Sequence, residues 1–169
     1  LDPSLRPRFT LESPWGRAEV GLTVGGAHQA SNAVAAAAAA LHLGASLDEV
    51  GAGLEAAVVS AMRMAVATAP SGLVVVNDAY NANPTSTRAA LDALADLPAT
   101  GRRVAVLGVM AELGAGSDAA HRAVAAHAAG LGIEVVAVAA PSYGADEVAD
   151  ATAAIDRLGG LGAGDAVLV

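Results

Sequence analysis

The chain has 169 residues, 54% of them hydrophobic but only 2% aromatic, and its 9 basic and 17 acidic side chains give a net charge of -8. That is room for one domain, or one domain plus part of another, with a core built from Ala, Val and Leu. The acidic balance argues against a groove for nucleic acid, which needs clustered Lys and Arg to neutralise phosphates. Every basic residue is Arg and there is no Cys. A Gly-Lys-Ser/Thr phosphate loop is therefore excluded, as are disulfides, thiol nucleophiles and Cys-ligated metal.

The opening Leu1-Asp2-Pro3 shows no basic segment followed by an apolar one, so no signal peptide is read there. Phe9 and Leu11 alternate with other residues, and so do Ala18, Val20, Leu22 and Val24, which is the period of half-buried strands. Pro14-Trp15-Gly16 between them predicts a hairpin turn. Gly25-Gly26 breaks the pattern, and an Ala-rich helix is expected from about residue 28 to 43, ending at Gly44. Its longest apolar stretch, 33–43, is interrupted by His42 and is too short for a membrane span. Ser46-Leu47-Asp48-Glu49 has the S-x-x-E form of a capping box and starts another helix. Beyond Met64, apolar runs alternate with helical stretches: 73–76 then 84–97, 104–107 then 117–131, 133–139 then 146–158, and finally 166–169. Such alternation predicts an α/β fold, a parallel sheet with helices on both faces. A domain boundary is placed near residues 60–63. Both ends read as cut from something larger.

Ligands of an open parallel sheet bind beyond the carboxyl ends of its strands. Two loops there stand out. Residues 77–84, Asn-Asp-Ala-Tyr-Asn-Ala-Asn-Pro, follow the first of these runs. Pro84 suits the first helical position and Asn83 the N-cap. Asp78 at the strand end suits a pair of ribose hydroxyls; the alternative is an Asn-rich turn with one cap. Asn81 and Asn83 both donate and accept, which suits peptide or phosphate groups. The second loop, 108–114, carries a single charge, Glu112. It either orients an amine or is a solvated loop carboxylate. Ser117 is expected to cap the following helix, and His121, one turn in, either faces the cleft or is structural. The glycines at 159, 160, 162 and 164 precede a strand, so they read as a connector and not as a phosphate loop. His28, His42, His121 and His127 share no metal-ligand spacing. There is no Gly-x-Ser-x-Gly elbow to offer a nucleophile.

Four segments, in this order, resemble the Mur ligase family: Gly-Ala-His-Gln-Ala-Ser-Asn-Ala at 26–33, Met62-Arg63-Met64, NDAYNANP at 77–84, and LGVMAELG at 107–114 with Ser117 and His121 after it. The resemblance implies a Rossmann-like C-terminal domain at 62–169, preceded at 1–61 by the tail of a central ATP-binding domain. It implies a cytoplasmic, monomeric ligase of peptidoglycan synthesis. The Asn-Ala-Asn-Pro loop is similar to that of the member joining D-alanyl-D-alanine to UDP-N-acetylmuramoyl-tripeptide through an acyl phosphate, with ATP and Mg²⁺. By the resemblance, Asn32 contacts adenine with His28 beside it, Arg63 reaches the ATP phosphates and Asp78 holds the ribose. Tyr80, Asn81 and Asn83 face the dipeptide and the acyl phosphate. The phosphate loop and metal ligands are expected upstream, so no catalytic residue is assigned here and the fragment alone is expected to be inactive. Gln29 replaces the family's usual Asn and Val109 an Asp common in it. Two alternatives stand beside this reading: a Mur-type ligase adding another amino acid, or a non-catalytic Rossmann-like nucleotide-binding or interaction module.

Overall fold

The computed structural model describes residues 1–2, 4–60 and 62–169. The chain divides into two compact units, Leu1–Met64 and Ala65–Val169. Among the described residues no helix is long and apolar enough to cross a membrane.

In the first unit, β1 (Arg8–Ser13) and β2 (Gly16–Gly21) form an antiparallel hairpin with Phe9 opposite Val20 and Leu11 opposite Ala18. The expected turn is there, with Pro14 and Trp15 at its tip. β2 ends sooner than the alternation implied. Leu22 still reaches the core, but Val24 lies in a bend, where the Thr23 hydroxyl donates to the Ala57 carbonyl at 2.6 Å. Helix α1 (His28–His42) buries only Ala33, Ala37 and Leu41, a stripe at four-residue spacing. Gly44 stops it with φ +97°; its amide donates to Leu41 O, and that of Ala45 to Ala40 O. A left-handed residue just past a helix is favourable only without a Cβ. Helix α2 (Leu47–Glu55) has the predicted capping box: Ser46 accepts from the Glu49 amide, and Glu49 from that of Ser46. Val50 joins Leu11, Val20, Leu22, Ala33, Ala37 and Leu41 in the core of this unit. Gly25 packs so tightly on the Met64 backbone that a Cβ would sit 2.9 Å from its carbonyl oxygen.

The second unit is a six-stranded sheet in the order β3-β4-β8-β5-β6-β7. Its strands are β3 (Ala65–Thr68), β4 (Val74–Asn77), β5 (Arg103–Leu107), β6 (Glu134–Val138), β7 (Asp146–Val148) and β8 (Ala166–Leu168). All pairings are parallel except β3 with β4. β3 is a short antiparallel edge that the sequence pattern did not announce. Helices α3 (Pro84–Asp96) and α4 (Ser117–Gly130) pack together against one face. On that face Leu91, Leu94, Val124 and Ala128 are fully buried. Helix α5 (Ala151–Arg157) covers the other, where its Ala154 meets Val104, Val136, Leu161 and Val167. Helices thus cover both faces, as expected, and the successive residues Val104 and Ala105 of β5, which point to opposite faces, are both buried.

Two expectations need correction. The stretch 146–158 is not one helix: Asp146–Val148 pairs with β6, and the helix begins after Asp150, whose carboxylate accepts from the Ala153 amide at 2.9 Å. That N-cap marks the later start. Ser117 does not cap α4; it is the first helical residue, preceded by a 3-10 turn at Gly114–Gly116, with no side-chain cap. The glycines at 159–164 are a connector, closed by Asp165. Its carboxylate accepts from the amides of Gly162 and Arg102, which hold it below the usual carboxylate range. Arg103 grips the end of α3, donating to the carbonyls of Leu94, Leu97 and Ala99, where a cation also complements the helix dipole.

Candidate functional site

The order of the sheet decides where a ligand can sit. β8, last in sequence, lies between β4 and β5, so the chain leaving β4 crosses over it through α3 to reach β5. Loops leaving the carboxyl ends of these strands part there, which opens a crevice. A cleft of about 370 Å³ occupies that place. Asp78, Ala79, Asn81 and Ala82 line it after β4, Gly108 and Val109 after β5, and Val169 after β8, with Thr87 and Ala90 of α3 and Tyr143 completing the wall.

The loop after β4 is shaped by its own residues. The Asp78 amide donates to Val169 O at 2.7 Å, extending the parallel pairing by one residue and leaving the Asp78 side chain at the strand's end. The Asn77 side chain accepts from the Ala79 amide at 3.2 Å and turns the chain. The Asn83 side chain accepts from the amides of Thr85 and Ser86 at 3.0 and 2.9 Å, and the Ser86 hydroxyl accepts from the Asn83 amide at 3.2 Å. Pro84 follows at the first helical position, as its fixed φ and missing N–H favour. Asn83 is therefore the N-cap. Asn81 lines the cleft beside Asp78, whereas Tyr80 is 53% exposed and outside the lining.

The loop after β5 is held from a distance. His121, on α4, is only 2% exposed. Its Nε2 accepts from the Met110 amide at 2.9 Å, which leaves the ring hydrogen on Nδ1 to donate to Ser117 O at 2.7 Å. Tyr143 lies edge-on to that ring at 4.7 Å between centroids, and its hydroxyl donates to Gly108 O at 3.0 Å. Burial pushes the Tyr143 phenol up to about 12. Thr87, buried in α3, directs its hydroxyl at the Met110 sulfur, 3.8 Å away. Glu112 is exposed, with a left-handed backbone (φ 63°), and stands outside the lining residues.

Thr87 and Tyr143 were not singled out from sequence. Both had a signal. Thr87, Leu91 and Leu94 form one helical stripe, so the polar member points inward. Tyr143 is one of two tyrosines in a chain with little aromatic content, just past the third strand of the parallel series.

In the first unit, His28 opens α1 and Asn32 follows one turn later. Asn32 Nδ2 donates to Gln29 Oε1 at 2.9 Å, so Gln29 orients the amide. Nδ1 of His28 is buried with no hydrogen-bond partner, an unusual state for a ring nitrogen. Arg63 Nε donates to the Ser60 hydroxyl at 3.3 Å, between two methionines of positive φ, Met62 and Met64. Among the described residues no group of three or more His, Asp or Glu is placed to hold a metal ion.

A strand-end cleft on a mostly parallel α/β sheet, bordered by an Asp-bearing turn and a Gly-led loop, is the place where open α/β domains of the Rossmann-like class hold their ligands. The profile described as Mur ligase, glutamate ligase domain, matches residues 62–169, and the chain belongs to the Mur ligase family. The UDP-N-acetylmuramoyl-tripeptide–D-alanyl-D-alanine ligase of Mycobacterium tuberculosis is 53% identical over 126 residues, which cover 72% of this chain and 25% of that enzyme. The ligase of the same name from Escherichia coli is 39% identical over 158 residues, covering 89% of this chain and 34% of that one. The crystal structure of MurF from Acinetobacter baumannii matches with a TM-score of 0.82 at 33% identity, over 98% of this chain and 38% of that chain. The chain thus spans about a quarter to a third of the length of these curated relatives.

Proposed function

We propose that this chain is part of an ATP-dependent ligase that joins D-alanyl-D-alanine to UDP-N-acetylmuramoyl-tripeptide in the cytoplasmic stage of peptidoglycan synthesis. The observation that carries the reading is the cleft at the carboxyl ends of β4, β8 and β5, with Asp78 and Asn81 on its wall. Two features of the chain fit a nucleotide. The buried Nδ1 of His28 lacks a partner, and Asp78 stands at a strand end, where a carboxylate accepts from vicinal hydroxyls.

In this reading residues 1–61 close the central ATP-binding domain and 62–169 form the C-terminal domain. His28 and Asn32 meet the base, Arg63 the phosphates and Asp78 the ribose. Asn81 and Tyr80 meet the dipeptide, and Asn83 fixes the turn that carries them. Glu112 meets the incoming amine when the loop is engaged. ATP, with Mg²⁺ held by residues outside this chain, supplies the phosphoryl group that activates the tripeptide carboxylate. What these residues contribute is orientation and charge stabilisation, the main protein role in phosphoryl transfer. The test is a ligation assay on the full-length protein, with ATP and UDP-N-acetylmuramoyl-tripeptide, offering D-alanyl-D-alanine or single amino acids. Product with the dipeptide alone supports the reading; product with a single amino acid makes the chain a different Mur-type ligase.

A further inference from the structure

The buried pair His121 and Tyr143 has no part in the roles assigned above, yet it spends two polar groups on one short piece of backbone. Gly108 O accepts from the Tyr143 hydroxyl at 3.0 Å, and the Met110 amide donates to His121 Nε2 at 2.9 Å. The two rings brace each other edge to face. The far side of the imidazole is tied to Ser117 O at 2.7 Å, which fixes both its tautomer and its rotation. A carbonyl and an amide two residues apart are thus each gripped by one of two side chains that pack against each other. Between them lies Val109, 58% exposed, and both Gly108 and Val109 line the cleft. An apolar side chain at 121 would fill the space beneath α4 but leave the Met110 N–H buried without an acceptor.

We propose that His121 and Tyr143 are positioning residues: they hold residues 108–110 in the one backbone conformation that presents the β5 side of the cleft to the amine substrate. The inference rests on the ligase reading for the identity of that substrate, but the clamp itself does not. Misplacing a substrate wall by about 1 Å weakens productive binding, while Asp78, on the β4 side of the cleft, is held by the β4–β8 pairing and not by this clamp.

The test uses the full-length enzyme with His121→Leu, His121→Gln and Tyr143→Phe. Gln can set its Oε1 where Nε2 stood and still accept from Met110; Leu cannot. For the dipeptide, His121→Leu is expected to raise KM about tenfold, with the KM for ATP staying within about twofold. His121→Gln should recover most of the loss, and Tyr143→Phe should show a smaller rise of the same kind. Proportional loss of kcat with both KM values unchanged, equal in Leu and Gln, would overturn the proposal, since it reports only less folded enzyme. If His121→Leu fails to fold, Gln and Phe carry the comparison, and wild-type dipeptide KM in the Phe variant overturns it. If the wild-type protein ligates nothing, the ligase reading fails separately. The clamp is then judged by amide exchange of residues 108–110 in the full chain: faster exchange in Tyr143→Phe supports it and unchanged exchange ends it.

Discussion

After β4, beyond the bond of the Asp78 amide to Val169 O, the side-chain bonds of Asn77 and Asn83 reach near neighbours: Asn77 to Ala79, Asn83 to Thr85 and Ser86. After β5 it passes through residues 108–112 on bonds to side chains far along the sequence, His121 and Tyr143, the second of them 35 positions away. Both loops border one cleft. The first is programmed by turn chemistry, which any reader of the sequence can see. The second is programmed by tertiary packing, which appears only when α4 and the turn at Pro141–Tyr143 fold over it.

That difference can be broken at its foundation. Leu91 and Leu94 of α3 are 0% exposed and anchor the helix that the first loop opens. Leu91→Ala is expected to cost about 2–5 kcal/mol in urea unfolding, the loss of a buried isobutyl group plus the cavity it leaves. A cost under about 1 kcal/mol would mean that α3 stands on its local signals without the sheet. Next in size is Asp78→Ala in the full-length enzyme. On the role proposed for Asp78, loss of charge-assisted bonds to two hydroxyls is expected to weaken ATP binding by about 2–4 kcal/mol, read as a higher KM for ATP with the dipeptide KM unmoved. An unchanged ATP constant takes Asp78 out of the nucleotide site.

Asn83→Ala sharpens the comparison. It removes two bonds to backbone amides and is expected to cost about 1 kcal/mol, as helix N-caps generally do. Its effect on amide exchange should be confined to the first turn of α3, because every partner of the cap lies within three residues. If exchange also quickens at residues 108–110, the two loops are coupled and the contrast drawn above is wrong.

The same division explains what could be read in advance. The helices starting at Pro84 and Leu47 were legible because Asn83 and Ser46 are local punctuation, and the parallel strands β4, β5, β6 and β8 because their apolar runs are continuous. β3 was not: Ala65-Val66-Ala67-Thr68 has small, largely exposed residues, and only its pairing with β4 makes it a strand. β7 was missed for the same reason, since Asp146 and Glu147 become strand residues only beside β6. Along the cleft, Asp78 was legible by its position at a strand end and Asn81 by its donor and acceptor groups in the same loop, while Tyr143 had only its rarity and its place past a strand to mark it, and reaches the cleft through a turn. His121 was left open between two roles in sequence because a lone helical His carries no direction; the fold buries it.

The smallest effect tests local programming by itself, in the first unit. Glu49 accepts from the Ser46 amide at 2.8 Å and from its hydroxyl at 2.6 Å, and these bonds hold its carboxyl below the ordinary value of 4.5. A folded value lower than the unfolded one means the ionised carboxylate stabilises the fold above the unfolded value. That contribution fades as pH falls through the folded value. The side chain is exposed, so solvent screens the charge and the effect is modest. Glu49→Gln keeps an acceptor and removes the charge. The thermal midpoint of the wild type should exceed that of Glu49→Gln at neutral pH, and the gap should close as the solution is acidified past the carboxylate range. A gap that persists undiminished in acid would show that hydrogen-bond geometry, and not the charge near the helix N-terminus, is what Glu49 contributes to α2.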